Sequence, residues 1–171
     1  PFAISWDTKM LPDQKEVGVR ALVHFKGQSN LVYVTPSTLG VRLPQRKGRV
    51  VRLFPASNLP VPFWSRANQK RECAIVLDVA RRQIEQAELH LVVWDGGAGT
   101  VQDYFKLNGH PLKIAGAGKH DIIYSKLQLD PAILERGTNR IELLSDTDHH
   151  GVEVCLPGPA LMVRYRTDEN R

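Results

Sequence analysis

The sequence predicts an all-β protein built as an antiparallel sandwich, with additional strands at its N-terminal end. Apolar and polar residues alternate with a period of two in about ten short segments, which is the pattern of half-buried strands. Clusters of Gly, Pro, Asn and Asp separate these segments at close spacing, as in sandwiches and barrels. Helical patterns are short, and the clearest is the single capped turn "DPAILERG".

The N-terminal third contains three or four strand candidates. "VGVRALVHF" places Val17, Val19, Ala21, Val23 and Phe25 on one face, and "LVYVT" and "RVVRLF" follow the turns "KGQSN" and "PQRKG". The stretch "FPASNLPVPFWSRA" then carries three prolines, which interrupt strand pairing. We therefore place a boundary here: residues 1–59 form N-terminal strands, either a small subdomain or an extension of the sandwich, and residues 60–171 form the main unit.

The main unit contains enough strands for a sandwich core. They are "CAIVLDV", "AELHLVVWD", "VQDYFKLNG", "DIIYSKLQL", "NRIELLS", "GVEVCL" and "ALMVRYR". Short helical turns are expected at Pro131–Arg136, where Asp130 is the N-cap, and at Arg81–Gln86. From the shared faces of the strands we expect these residues to be buried: Ile75, Leu77, Leu89, Leu91, Val93, Ile141, Leu143, Val152, Val154, Leu161 and Val163.

Composition and charge exclude several classes of function. The chain has 171 residues, 42% hydrophobic and 24% charged, with a net charge of +5. The basic residues are scattered without interleaved aromatics, so we expect no nucleic-acid partner. No apolar run approaches the roughly 20 residues that span a bilayer, so no membrane insertion is expected. The chain begins at Pro1 without a visible signal peptide. Alternation places the Cys73 side chain inward and the Cys155 side chain outward, which argues against a disulfide between them.

Several ordered segments resemble a known family. "FWSRA" precedes a strand, "QAELHLVVWDGG" runs into a polar loop, "FKLNGHPL" is similar to a family hairpin, and "HDIIYSKLQLDPAILERGTNRIELL" follows the family's strand, turn and strand pattern. Together, residues 62–166 resemble the galactose-binding-like jelly roll of carbohydrate-binding modules and of sugar-binding domains in β-galactosidase-type glycosidases. Residues 1–55 fall outside the resemblance.

The resemblance implies a jelly-roll sandwich that acts as a non-catalytic carbohydrate-binding or accessory module of a larger bacterial protein. Its partners would be a carbohydrate or another domain of that protein, at an extracellular or periplasmic location. Because one fold carries many functions, two alternatives stay open. One is an interaction module that docks a catalytic domain or partner chain without binding sugar, and the other is a small hydrolase.

Two asparagines in the resembling segments have structural explanations. Asn108-Gly109 favours the positive φ angles of a tight hairpin turn, and Asn139 is placed to fix the start of a strand after the glycine that ends a turn. We therefore predict structural roles for both.

Aromatic residues at strand ends are the candidates for sugar stacking, because the C–H faces of pyranoses pack on rings. Trp94 ends a strand just before the polar loop "DGGAGT" and faces away from Leu91 and Val93, so it is the first candidate. Tyr104 is the second, since alternation places it opposite Phe105 and Leu107. Trp64 lies in the proline-rich junction and is predicted to fill the core.

The segment "SDTDHHGVE" holds the densest set of polar side chains. Adjacent histidines on an extended chain point apart, and no zinc-binding spacing appears, so no metal is predicted. "SDTD" leaves a structural calcium open, but no complete calcium loop is present. We find no paired carboxylates and no nucleophile elbow, so no catalytic residue and no cofactor are predicted. Either the segment is a turn capped by its aspartates, or its side chains form a polar binding rim.

The site hypothesis combines these two stretches. If the protein binds sugar, the site lies where "WDGGAGTVQDY" approaches "SDTDHHG" at one end of the sandwich, since sugar recognition needs a stacking ring beside charged hydrogen-bonding groups. The predicted ligand-binding residues are Trp94, Asp95, Tyr104, Asp146, His149 and His150.

Overall fold

A computed structural model describes residues 3, 5–12, 14, 16–43, 47–114 and 118–167. The strands in chain order are β1 Val17–Val19, β2 Leu22–Phe25, β3 Gln28–Val34, β4 Thr38–Val41, β5 Arg49–Ser57, β6 Phe63–Trp64, β7 Arg71–Leu77, β8 Ile84–Asp95, β9 Phe105–Leu107, β10 His110–Pro111, β11 Ile122–Leu129, β12 Gly137–Leu143, β13 Val152–Val154 and β14 Ala160–Arg166. Within the described ranges, helix is confined to two 3-10 turns at Arg81–Gln83 and Pro131–Ile133. Both lie where the sequence predicted a turn.

Strands β5 to β14 form an antiparallel β-sandwich. One side is built on the long strand β8, which pairs with β11 along one edge and with β14 and β13 along the other. The other side has the order β10-β9-β12-β7. Strand β5 connects the two sides: residues 49–55 pair with β14, and residues 56–57 pair with β7.

The position of β5 corrects one sequence expectation. Pro55 was expected to interrupt pairing, yet it lies within β5, opposite Ala160. A proline lacks only the N–H donor, and the following amide, that of Ala56, donates to the carbonyl of Pro159 at 2.9 Å. The strand at residues 49–57, on the N-terminal side of the expected boundary, is thus hydrogen-bonded to strands on both sides of the sandwich.

The core matches the predicted alternation. All eleven residues expected to be buried are at most 5% exposed and belong to one hydrophobic cluster. On β8 the inward side chains include Leu89, Leu91 and Val93, which leaves His90, Val92 and Trp94 on the outer face. The alternation of β8 therefore decides which side chains are available to a ligand.

The predicted structural roles of two asparagines are confirmed. Asn108 and Gly109 have φ angles of 50° and 80°, as a tight hairpin turn requires. Asn139 is fully buried, and its side-chain oxygen accepts hydrogen bonds from the Glu135 amide and the Asn108 side chain, both at 2.9 Å. These bonds join the β9–β10 turn to the start of β12.

The first four strands differ from the sequence prediction. "VGVRALVHF" forms two short strands rather than one, because β1 pairs with β4 whereas β2 pairs with β3. Val17 is buried, but Val19, Val23 and Phe25 are 39–45% exposed. Period-two alternation predicted correctly that these residues form strands, but it did not predict that their side chains are exposed.

Candidate functional site

A cross-strand row of side chains crosses the outer face at one end of β8. Glu153 on β13 lies directly opposite Trp64 on β6 and, on its other side, opposite Trp94 on β8. We call Trp64, Glu153 and Trp94 the tryptophan row. Since neighbouring strands are roughly 4.8 Å apart, the two tryptophans lie roughly 10 Å apart at the backbone, with a carboxylate between them.

Arg66 holds one end of this row in place. Its guanidinium lies over the Trp64 ring, 5.1 Å from the ring centroid, and Nη2 donates to Oε1 of Glu153 at 3.1 Å. The two charged side chains are 21% and 30% exposed, so the pair is partly shielded from water. Arg66 thus orients both an aromatic ring and the carboxylate beside it.

The surface next to Trp64 is concave. The concavity has a volume of about 230 Å³ and is lined by residues 60–64 and 153–156. This is smaller than the roughly 300–1,000 Å³ of typical small-molecule pockets. Its walls are mainly apolar, with Glu153 as the charged member, and its shape suits the edge of a larger ligand.

The other end of the row is a cluster of three rings. Trp94, His120 and His150 have centroids 5.4, 5.6 and 5.0 Å apart, and two of the three pairs meet edge to face. His120 Nε2 and His150 Nδ1 share a hydrogen bond of 3.0 Å. Gly96 allows this arrangement, because a side chain there would meet Cζ3 of Trp94 at 2.5 Å and the backbone of residues 150–151.

The two stretches that were predicted to approach each other do meet. The Asp146 carboxylate accepts hydrogen bonds from the Thr100 amide at 2.9 and 3.1 Å and from the Thr100 hydroxyl. These bonds lower the pKa of Asp146 below its ordinary value. Asp146 is therefore occupied in joining the two loops, as a capping aspartate would be.

Two of the predicted site residues are not on the surface. Tyr104 is 8% exposed and belongs to the core cluster, so its ring cannot form a stacking platform. Alternation failed there because regular pairing in this segment starts only at Phe105. Asp95 is fully buried, and its Oδ1 accepts from the amides of Gly97 and Gly118 at 3.2 and 3.3 Å, which makes it a loop anchor.

The remaining predicted residues separate into two groups. Trp94 is half-buried and His150 is exposed, and they are in contact. His149 is also exposed, and its backbone exchanges hydrogen bonds with the Thr147 hydroxyl. Adjacent histidines were expected to point apart. Among the described residues, the His150 ring contacts Trp94 and His120, whereas no ring contact involves His149.

Trp64 corrects another expectation, since it does not fill the core. Its neighbour Phe63 is 3% exposed and pairs with the inward-facing Val154, whereas Trp64 pairs with the outward-facing Glu153. Alternation between Phe63 and Trp64 indicates that Trp64 faces outward, but the adjacent prolines argued against a strand at these residues. His120 was missed because it reaches the cluster through its loop, where its φ of 59° lies outside any strand pattern.

A second polar group lies on the same outer face. Glu88 is 5% exposed, forms an ion pair with Lys126 Nζ at 3.3 Å and is hydrogen-bonded to His90 Nε2 at 3.0 Å. The other ring nitrogen of His90 is hydrogen-bonded to the Tyr124 hydroxyl. Register places Tyr124 opposite Val92, one diagonal step from Trp94.

Metal ligands and thiols are the remaining groups with possible chemistry. Within the ranges that the structure describes, no group of three or more His, Cys, Asp or Glu could hold a metal ion. Burial raises the pKa of the Cys73 thiol to about 12, and Cys155 is half-exposed. No described helix is long and apolar enough to cross a bilayer.

Comparisons with known proteins identify the fold. No protein-family model matches this sequence, and no curated protein sequence is significantly similar to it. Among solved structures, it resembles a β-porphyranase of glycoside hydrolase family 86 from the human gut bacterium Bacteroides plebeius, with a TM-score of 0.52 and 14% identity over 86% of this chain. It also resembles wild-type BuGH86 in complex with neoagarooctaose, with a TM-score of 0.51 and 14% identity over 93% of this chain. The chain spans 29% of each of these proteins, and at this identity the likeness shows a shared fold.

Proposed function

We propose that this chain is a non-catalytic carbohydrate-binding module of a larger extracytoplasmic carbohydrate-active protein, and that it binds a glycan on the outer face around Trp94. The observation that carries the proposal is the tryptophan row: two outward tryptophans on either side of a carboxylate, with two histidines at one end. The galactose-binding-like resemblance belongs to the same proposal.

The chemistry of the row suits a sugar. A pyranose has an apolar C–H face that packs on an aromatic ring, and its hydroxyls form their strongest hydrogen bonds with charged groups. The row offers ring, carboxylate and ring in that order, and the small concavity beside Trp64 adds apolar contact. An open face of this kind accommodates part of a long chain rather than enclosing a small molecule.

The choice of ligand class draws on the structural neighbours. Both belong to glycoside hydrolase family 86, and one was solved with neoagarooctaose. A chain that spans 29% of such proteins supports an accessory role beside a separate catalytic region. Neoagarooctaose is therefore the first probe.

The test is a calorimetric titration of neoagarooctaose into the wild type and into Trp94→Ala. We expect the variant to bind about tenfold more weakly or worse, because a stacked ring contributes roughly 1–3 kcal/mol by analogy with bases on aromatics and about 1.4 kcal/mol is a factor of ten. Trp6→Ala is the matched control, since Trp6 is 50% exposed and lies outside the row.

Three outcomes would contradict the proposal. The first is that the wild type binds neither neoagarooctaose nor any member of a wider glycan panel. The second is that Trp94→Ala remains folded and binds as tightly as the wild type. Hydrolysis of a glycoside that disappears in His150→Ala would overturn the non-catalytic part.

A second candidate function is docking of another domain through the β2–β3 hairpin. Its apolar side chains are exposed on both faces: Leu22, Val23, Phe25, Leu31, Val32, Tyr33 and Val34 are 39–56% exposed. A two-stranded hairpin is marginally stable alone, and an apolar patch of this kind marks an interaction site. We expect chymotrypsin to cleave the isolated chain after Phe25 or Tyr33, and the larger protein to be protected there. Equal cleavage in both would contradict docking.

A further inference from the structure

Tyr124, His90 and Glu88 form a hydrogen-bonded chain beside the tryptophan row. Glu88 is buried at 5% exposure although it lies on the outer face, whereas Tyr124 is 61% exposed. The rings of His90 and Tyr124 are 5.9 Å apart at their centroids. The chain therefore runs from a buried carboxylate to an exposed phenol.

The hydrogens in this chain can be assigned in sequence. Lys126 Nζ forms an ion pair with Oε1 of Glu88 at 3.3 Å, and a carboxylate only accepts hydrogen bonds. The hydrogen between Glu88 and His90 therefore belongs to Nε2 of His90. When the His90 imidazole is neutral it carries one N–H, so Nδ1 is then an acceptor and the hydrogen between it and Tyr124 belongs to the phenol.

This assignment fixes what Tyr124 offers to a ligand. Its only hydrogen is donated inward to His90, so the phenol oxygen presents lone pairs outward. On β14 the residues directly opposite His90 and Glu88 are the uncharged Ala160 and Met162. The exposed hydroxyl is thus oriented to accept a hydrogen bond.

We propose that Tyr124 forms a second subsite of the glycan-binding face, where its oxygen accepts a hydrogen bond from a sugar hydroxyl, with His90 and Glu88 as positioning residues. This inference rests on the proposed function, because it takes the ligand to be a glycan. Tyr124 is a diagonal cross-strand neighbour of Trp94, roughly 7–8 Å away at Cα. The ligand is then an oligosaccharide that spans Trp94 and Tyr124, with a free hydroxyl over the phenol.

The first test compares neoagarooctaose binding to the wild type, Tyr124→Phe and Tyr33→Phe. Tyr124→Phe keeps the ring and removes only the oxygen, so we expect affinity to fall roughly three- to tenfold, as for one lost hydrogen bond. Tyr33 is 55% exposed and lies on the β2–β3 hairpin, so Tyr33→Phe should bind like the wild type.

The second test separates positioning from general support of the fold. We expect His90→Ala to weaken binding about as much as Tyr124→Phe. His90→Gln should restore most of the affinity, because an amide can donate to Glu88 and accept from Tyr124. Failure of His90→Gln to restore binding while both variants stay folded would overturn the roles of His90 and Glu88.

The outcomes distinguish this inference from the function on which it rests. Loss of binding in Trp94→Ala together with full binding in Tyr124→Phe would overturn the Tyr124 subsite and leave the glycan-binding proposal standing. Absence of binding by the wild type to any glycan would contradict both.

Discussion

Asn139 shows how one buried residue stabilises the sandwich. Its amide donates to the carbonyls of Glu135 and Gly137 at 2.9 and 3.2 Å, and its oxygen accepts from the Glu135 amide and the Asn108 side chain. Substitution would remove these partly buried hydrogen bonds, and a polar group that loses its partner away from water costs more than the bond itself contributes.

We therefore predict that Asn139→Ala lowers the free energy of unfolding by about 2–3 kcal/mol. Urea denaturation followed by circular dichroism measures this change. The matched control is Asn30→Ala, at an exposed asparagine, for which we expect less than about 0.5 kcal/mol. Equal effects of the two substitutions would contradict the structural role of Asn139.

Asp146 gives a prediction of pH dependence. Hydrogen bonds from the Thr100 hydroxyl and amide lower the pKa of this carboxyl in the folded protein. A depressed pKa means that the contact is fully present above the ordinary pKa of aspartate, about 3.9, and is lost as the pH falls through the folded value. An NMR titration of the Thr100 amide should therefore show a midpoint below about 3.9. A midpoint at or above that value would contradict the contact.

Sequence alternation predicted correctly which side of the sheet a side chain faces wherever the strand was regular. Trp94 lies on the outer face as predicted, because β8 is paired regularly with β11 from Ala87 to Trp94. Tyr104 was assigned the wrong side, since the segment before Phe105 is not a strand and period two does not apply there. Asp95 was expected at the rim, but backbone amides of two loops draw its carboxylate inward.

At the level of elements, the loop after β8 depends on the absence of a side chain at Gly96. A Cβ there would contact the Trp94 ring at 2.5 Å and the backbone of Gly151. At Gly109 a Cβ would meet nothing within 4 Å, although the φ of 80° disfavours other residues. The two glycines therefore differ in kind: one is required for close approach and the other for a turn.

We predict that Gly96→Ala both destabilises the protein, by about 1–3 kcal/mol, and weakens neoagarooctaose binding. Gly109→Ala should cost about 1–2 kcal/mol through its backbone conformation alone and leave binding unchanged. Thermal unfolding and calorimetry measure the two effects. Unaltered binding in Gly96→Ala would show that the position of Trp94 does not matter for the ligand.

Element boundaries were less predictable than the elements themselves. The 3-10 turn at Pro131–Ile133 and the Asn108-Gly109 hairpin carry local signals, namely an N-capping aspartate, a proline and an Asn-Gly pair. The pairing of β5 with strands on both sides of the sandwich has no local signal, because it depends on contacts with strands far away in sequence. The division of "VGVRALVHF" into β1 and β2 was not predicted for the same reason, because it depends on pairing with different strands.

At the scale of the whole molecule, the sandwich brings four strands distant in sequence to one outer face. Trp64, Glu153, Trp94 and Tyr124 lie on β6, β13, β8 and β11, and they become neighbours only through strand order and register. The sequence predicted the meeting of the loops after β8 and β12 but missed this row, since register between distant strands cannot be read from alternation within each strand.

Binding of a glycan to the tryptophan row can be followed by an NMR titration of the tryptophan indole N–H signals with neoagarooctaose. The chain has three tryptophans. We predict that the signals of Trp94 and Trp64 shift in a saturable way, whereas that of Trp6 stays unchanged. Shifts confined to Trp6, or the absence of any shift on addition of neoagarooctaose and of other glycans, would contradict the account.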